Sequence, residues 1–414
     1  VERGVPAAAR QVEACAAQCA TWSGGGAGEG FFDTLVQAFD RVPGGSSALR
    51  ADLERGAAAA ATAYAELGRF LREDLLPHAD PHDAVGPGRY ALHARAFNGT
   101  VLDLDETYRW GWEELYGVER EMAETANRIA PGEPVAAVWE LLETDPARSI
   151  DGVDRFQEWM QELQDRTIAE LDGTHFDIPE PVKRIEAMIA PPGGALAMYY
   201  TGPSEDFSRP GRTWYPTGGR TRFPLWGEVS IAYHEGVPGH HLERASVRYL
   251  AGELSRFQRL FGASGYVEGW ALYAERLMGE LGYLDQPEYY LGMLRSQALR
   301  CVRVVVDIGM HLELKIPDRE PFHGGETWTP ELGQSFALGR SQFPPDFMAS
   351  EITRYLGMPG QAISYKVGER AWLAARDTAR RSARPDFDLK AFHGRALRLG
   401  PMGLDQMQRE LGRL

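Results

Sequence analysis

The stretch His234-Glu235-Gly236-Val237-Pro238-Gly239-His240-His241 places three of the chain's ten histidines and a glutamate within eight residues. Zinc hydrolases hold their ion on neutral imidazoles and usually a carboxylate, and use a separate carboxylate to take a proton from water. The usual helical arrangement is His-Glu-x-x-His, whose histidines lie four apart on one face. Here the fourth position after His234 is Pro238, which cannot donate a backbone hydrogen bond back to His234. On a regular helix His241 would share the face of His234 but lie about 10 Å further along, and His240 would point about 120° away. Neither could share an ion with His234. Pro238, with the freedom of Gly236 and Gly239, therefore predicts a widened turn or bulge, an insertion into a metal-binding helix that draws a second histidine back toward the first. His240 and His241 compete for that place.

A third ligand is expected from another helix. Tyr266-Val267-Glu268-Gly269-Trp270-Ala271-Leu272-Tyr273-Ala274-Glu275 supplies Glu268, 28 residues beyond His240, which is enough chain for a loop and a returning helix. Glu275 follows seven residues later and can face the same way, although a solvated helix face is its ordinary reading.

Around this centre the chain reads as helical. Phe156, Met160, Leu163, Ile168 and Leu171 form an apolar stripe opposite Glu158, Gln161, Asp165 and Glu170, the pattern of an amphipathic helix. Ala48 to Leu76, Leu104 to Ala130 and Leu291 to Leu314 are further long helices, with a break at Pro81 to Gly88 and another at Gly400-Pro401. Between about Ile178 and Trp226 proline and glycine become dense, and short runs such as Ala195-Leu196-Ala197-Met198-Tyr199-Tyr200 predict a small sheet. The expected organisation is a helical scaffold over 1–180 and a catalytic region over 181–414, joined as one continuous unit.

The 414 residues carry a formal net charge of -15 and no Lys/Arg block, which argues against nucleic acid as a partner and for peptides or small molecules. Three cysteines cannot build a disulfide framework; Cys15 and Cys19 share a helix face and read as plain thiols. No stretch reaches the roughly 20 apolar residues that cross a membrane, so no membrane partner is expected. A cytoplasmic location is favoured, with secretion open if a signal preceded Val1. The oligomeric state is not legible.

His-Glu-Gly-x-Pro-Gly-His-His followed by Glu-Gly-Trp-Ala-Leu-Tyr-Ala-Glu resembles the bacterial family known as domain of unknown function 885, placed among zincin-like metallopeptidases. The resemblance continues through Arg300-Cys301-Val302-Arg303-Val304-Val305-Val306-Asp307-Ile308-Gly309-Met310-His311, where Ile308 replaces the usual Thr, and through Arg354-Tyr355, Pro359-Gly360-Gln361-Ala362 and Tyr365-Lys366, so that it spans at least residues 195–410. More distantly, Gly239-His240 with a Glu 28 residues later is similar to the carboxypeptidase Taq and thimet oligopeptidase families. These resemblances imply a mostly α, large helical gluzincin-like fold (neurolysin or carboxypeptidase Taq-like) with a small β-sheet beside the active site. They imply zinc held by His234, His240 and Glu268, with Glu235 as general base. Aligning Gly-His favours His240 over His241.

The expected activity is then that of a zinc-dependent hydrolase, a metallopeptidase of carboxypeptidase or oligopeptidase type. The alternatives are a zinc amidohydrolase acting on a non-peptide amide or biosynthetic intermediate, and an inactive peptidase-fold binding protein. A hydrogen-bond donor to the developing oxyanion is needed besides the metal, and His311 and Tyr365 are the candidates. Asp307 is placed to orient a ligand histidine. Arg354 and Lys366 are candidates for capturing a substrate carboxylate, with Arg209 and Arg212 as substitutes. His241 serves substrate binding if it is not a ligand, and Tyr200, with Tyr199, lies on an edge strand suited to pairing with an extended peptide.

Overall fold

Phe156, Met160, Leu163, Ile168 and Leu171 are all buried along one face of a helix, and the other predicted long helices form within a few residues of their expected bounds. The computed structural model describes residues 6–25, 30–40, 44–191, 197–383 and 385–413. Contacts divide the chain into two units, 1–84 and 85–414.

The first unit consists of α1 (Ala9–Trp22), α2 (Phe31–Phe39) and α3 (Ser47–Phe70). Ser46 caps α3 by accepting the backbone N–H of Leu49 at 3.1 Å, satisfying one of the donors a helix start leaves open. Cys15 is exposed and Cys19 buried, both as free thiols.

The second unit begins with α4 (Gly86–Asn98), α5 (Leu104–Ile129), α6 (Val135–Thr144), β1 (Ser149–Asp151) and α7 (Val153–Leu171). Next come β2 (Ile185–Ile189), β3 (Tyr199–Thr201), β4 (Gly211–Tyr215) and β5 (Arg222–Pro224). Helices then return as α8 (Glu228–Glu235), α9 (His240–Tyr249), α10 (Arg256–Leu260), α11 (Ser264–Glu280) and α12 (Pro287–Leu312). The chain closes with α13 (Pro330–Ser341), α14 (Pro345–Gly357), α15 (Ser364–Ser382), α16 (Leu389–Arg398) and α17 (Leu404–Leu411). The fold is mostly helical with small sheets.

Asp103 starts α5 by accepting from Glu106 N–H at 2.9 Å, and Asp105 and Glu106 in its first turn complement the helix dipole. α12 is buried on nearly every side from Leu291 to His311, as its Val304-Val305-Val306 run demands, and lies at the centre of the unit. The sheet expected between Ile178 and Trp226 has strand order β2-β4-β3, β2 parallel and β3 antiparallel to β4. β3 is thus an edge strand and carries Tyr199 and Tyr200, while Ala195 and Leu196 of the same predicted run lie outside the described residues. Gln157 and Gln161 of α7 bond to the backbone of β2, tying sheet to helix.

α11 and α15 approach closely because glycine faces glycine. A Cβ at Gly269 would lie 2.4 Å from the backbone of Gly368, and one at Gly368 would lie 2.0 Å from Gly265 O. This contact seats Tyr365, one turn before Gly368, beside the helix that carries Glu268.

Candidate metal centre

The histidine segment does not bulge a continuous helix; it breaks it in two. α8 ends on Glu235, and Pro238, lacking an N–H, sits in a loop over Gly236–Gly239 before α9 starts at His240. The loop turns back over the last turn of α8, where Gly239 N–H donates to Tyr233 O at 3.0 Å. A Cβ at position 239 would lie 2.0 Å from His234 O, so only glycine permits this crossing. Trp270 Nε1 on α11 donates to Pro238 O at 2.9 Å and holds the loop from the side. His240 is thereby returned to His234, their rings edge to face with centroids 4.8 Å apart.

Glu268 on α11 completes the cluster. Ligand atoms of His234, His240 and Glu268 lie within 4.8 Å of one another. Nε2 of His234 is 3.6 Å and Nε2 of His240 3.4 Å from the same Glu268 oxygen, Oε2. The His234 side chain is 3% exposed and that of Glu268 20%, so the cluster is walled on one side and open on the other. His234 Nδ1 donates to Glu275 Oε1 at 2.7 Å, and Glu275 is fully buried. That bond leaves Nε2 turned toward a carboxylate oxygen that has no hydrogen-bond partner. Acceptors that converge without a donor repel one another unless a proton or cation sits among them, and two imidazoles with a carboxylate are the donor set of zinc. The residues fit the ion. Burial alone would lower the basicity of His234, but Glu268 and Glu275 outweigh it and raise the ring's pKa to about 9, as a site that attracts positive charge must.

Glu235, buried at the end of α8, has its carboxyl pushed above the usual range by desolvation, against the pull of His240 and His234. A carboxylate held nearer neutrality is a better proton acceptor and donor. Tyr365 lies on α15 with its ring nearly parallel to His234, centroids 6.4 Å apart at 17°. Burial, then the Glu268 charge, raise its phenol pKa, so it stays protonated and can donate. The guanidinium groups of Arg303 and Arg300 sit over the same ring at 4.4 and 5.7 Å.

The family described as "Bacterial protein of unknown function (DUF885)" matches residues 1–411. The chain belongs to the DUF885 family. The match extends the resemblance read over 195–410 to almost the whole chain. Two solved structures share this DUF885 chain's fold. One, a "putative lipoprotein" from Colwellia psychrerythraea, is 24% identical with a TM-score of 0.83, covering 98% of this chain and 70% of that one. The other, from Shewanella oneidensis and described in the same words as of unknown function, is 19% identical with a TM-score of 0.70, covering 98% and 73%. No curated protein matches. Among the described residues no helix is long and apolar enough to cross a membrane.

Several expected site residues of this DUF885 chain have other work. His241 is fully buried; its Nε2 donates to Val182 O at 2.6 Å and its Nδ1 accepts from Tyr200 at 2.9 Å. Both nitrogens are used, and burial lowers its pKa to about 4, so it is a neutral link between α9 and the sheet rather than a substrate contact. Tyr200 spends its hydroxyl on that link. His311 is fully buried, with Nε2 donating to Tyr355 O at 3.1 Å and Nδ1 shut off from solvent without a partner. It also lies 11 residues beyond Arg300 on α12, about 16 Å along the axis. Asp307 accepts from Tyr90 at 2.7 Å and Gly360 N–H at 2.9 Å, and orients no ligand histidine.

Lys366 is buried among Gln297, Glu369 and Glu114. Arg354 is locked on Glu351 at 2.9 and 2.8 Å and on Gln361. Both are held in ion pairs. Arg209 and Arg212 are engaged by backbone carbonyls and by Glu186. Sequence reasoning gave the orienting role to Asp307, whereas Glu275 holds it; the seven-residue spacing from Glu268 was the available signal. Trp270, Arg300 and Arg303 carried no comparable mark.

Proposed function

We propose that this chain is a zinc-dependent hydrolase of gluzincin-like peptidase type, acting on a peptide or small amide. The observation that carries the reading is the convergence of the His234 and His240 imidazoles on the unpartnered oxygen of Glu268, beside a buried Glu235.

His234, His240 and Glu268 would hold the ion, and Glu275 fixes the tautomer and orientation of His234. A bound zinc supplies Lewis acidity toward a carbonyl and lowers the pKa of water. Glu235 accepts a proton from the attacking water and passes it to the leaving amine, a role its raised pKa suits. Tyr365, a protonated phenol one ring from His234, donates to the negative charge that develops on the carbonyl oxygen. The split of the metal helix into α8 and α9 is compatible with a gluzincin-type site, with the loop taking the place of a regular turn.

The test is metal analysis of the purified chain after zinc reconstitution, with a peptide-library digest using free and blocked termini. One zinc per chain and cleavage that Glu235→Gln removes are expected. A chain that takes up no metal, or turnover indifferent to Glu235→Gln, overturns the reading.

A further inference from the structure

Behind the candidate metal centre, α12 turns Arg300 and Arg303 to one face, three residues apart, and both are more than nine-tenths buried. Their guanidinium groups lie over the ring of Tyr365, whose other neighbour is His234. Each keeps a nitrogen without an acceptor: Nε of Arg300 and Nη1 of Arg303. A buried, charged donor left unpaired is costly; Arg259, Arg295 and Arg376 also keep one, but Arg300 and Arg303 are the pair that meets the ring beside His234.

The charges point the same way. Glu351 is shared, taking Arg303 Nη2 at 2.7 Å as well as both arms of Arg354. Glu275 Oε1 is taken by His234 at 2.7 Å, which leaves Arg300 Nη2 at 3.7 Å. Arg303 and Arg354 thus share one carboxylate, and Arg300 shares the other with His234. By contrast Lys366, equally buried, is fully matched by Glu369, Glu114 and Gln297. The paired oxygens of a carboxylate suit two guanidinium N–H donors.

We propose that Arg300 and Arg303 anchor a carboxylate of the substrate beside Tyr365, so that the chain acts on peptides or small amides whose free carboxylate lies close to the bond that is cut. The anchor stands on the arginines alone, and only the cutting rests on the hydrolase reading above. Arg300 and Arg303 take the place first given to Arg354 and Lys366.

Calorimetric titration of the full chain with N-acetylalanine and with its carboxamide, each with chelator and with zinc, tests the anchor. The acid is expected to bind at least about tenfold more tightly than the amide in both conditions. Arg300→Gln and Arg303→Gln should each narrow that gap to under about threefold through loss of acid binding, with amide binding unchanged. Equal affinities in the metal-free chain, a gap seen only with zinc, or a gap that persists in both variants overturns the proposal. The wild-type comparison keeps the test decisive if either variant fails to fold. A gap without any hydrolysis would sink the hydrolase reading and leave the anchor standing.

Discussion

His234 donates from Nδ1 to the buried carboxylate of Glu275 at 2.7 Å, while its Nε2 faces Glu268 at 3.6 Å. One ring therefore links two carboxylates of α11 that lie two turns apart, and the inner bond decides which nitrogen is left for the ion. Glu275→Gln keeps the shape but removes the charge that favours this tautomer. It should weaken zinc binding by about 10- to 100-fold, measured by competition with a chromogenic chelator, with the far-UV spectrum unchanged. Unaltered affinity would mean that Glu275 only packs.

Adjacent histidines should part company on substitution. His240→Ala should lose bound zinc while the fold survives, because its ring meets Glu268 at the open side of the cluster. His241→Ala should keep zinc but lower stability by roughly 2–4 kcal/mol, since it strands the Tyr200 hydroxyl and the Val182 carbonyl and leaves a cavity. Metal content and urea unfolding of the two variants read this out directly.

The glycine contact between α11 and α15 has a matching control. Gly368→Ala places a methyl 2.0 Å from Gly265 O and should cost about 1–3 kcal/mol or more in urea unfolding. Gly394→Ala, exposed on α16 with nothing within 4 Å of the added methyl, should be neutral or stabilise by up to about 1 kcal/mol. Equal effects would show that the helices separate easily.

Acid should act through Glu351. Burial raises its pKa, but Arg303 and Arg354 outweigh that and hold it at about 2. The native state then binds fewer protons than the unfolded chain between the ordinary carboxyl range and this value. The contribution is present in full above about pH 4.5, is lost as pH falls through about 2, and is on the order of 3 kcal/mol. Unfolding free energy measured from pH 6 down to pH 3 should fall less steeply in Glu351→Gln than in the wild type, whatever the variant's stability at neutral pH.

Tyr365→Phe should leave zinc content intact and lower kcat by about 10²–10³-fold with little change in KM, the pattern of a donor used only as charge develops. A change confined to KM would assign the hydroxyl to ground-state binding instead.

Periodicity and punctuation made much of this protein legible in its sequence. The amphipathic stripe from Phe156 to Leu171 and the apolar run around Val304 specify helices locally, because side-chain spacing alone decides which face can be buried. The His/Glu cluster was legible for a similar reason: Pro238 excludes regular spacing, and His and Glu are scarce enough in this pattern to be noticed. Only the tertiary structure separated His240 from His241, because that choice depends on how Gly239 crosses Tyr233 and His234 and on what the neighbouring sheet offers each ring. It likewise gave Glu275 the place expected of Asp307, and drew Arg354 and Lys366 into ion pairs while leaving donors of Arg300 and Arg303 unmatched. A charged side chain looks the same in a sequence whether or not it has a partner. The partner comes from a distant helix, and packing alone decides which donors are satisfied.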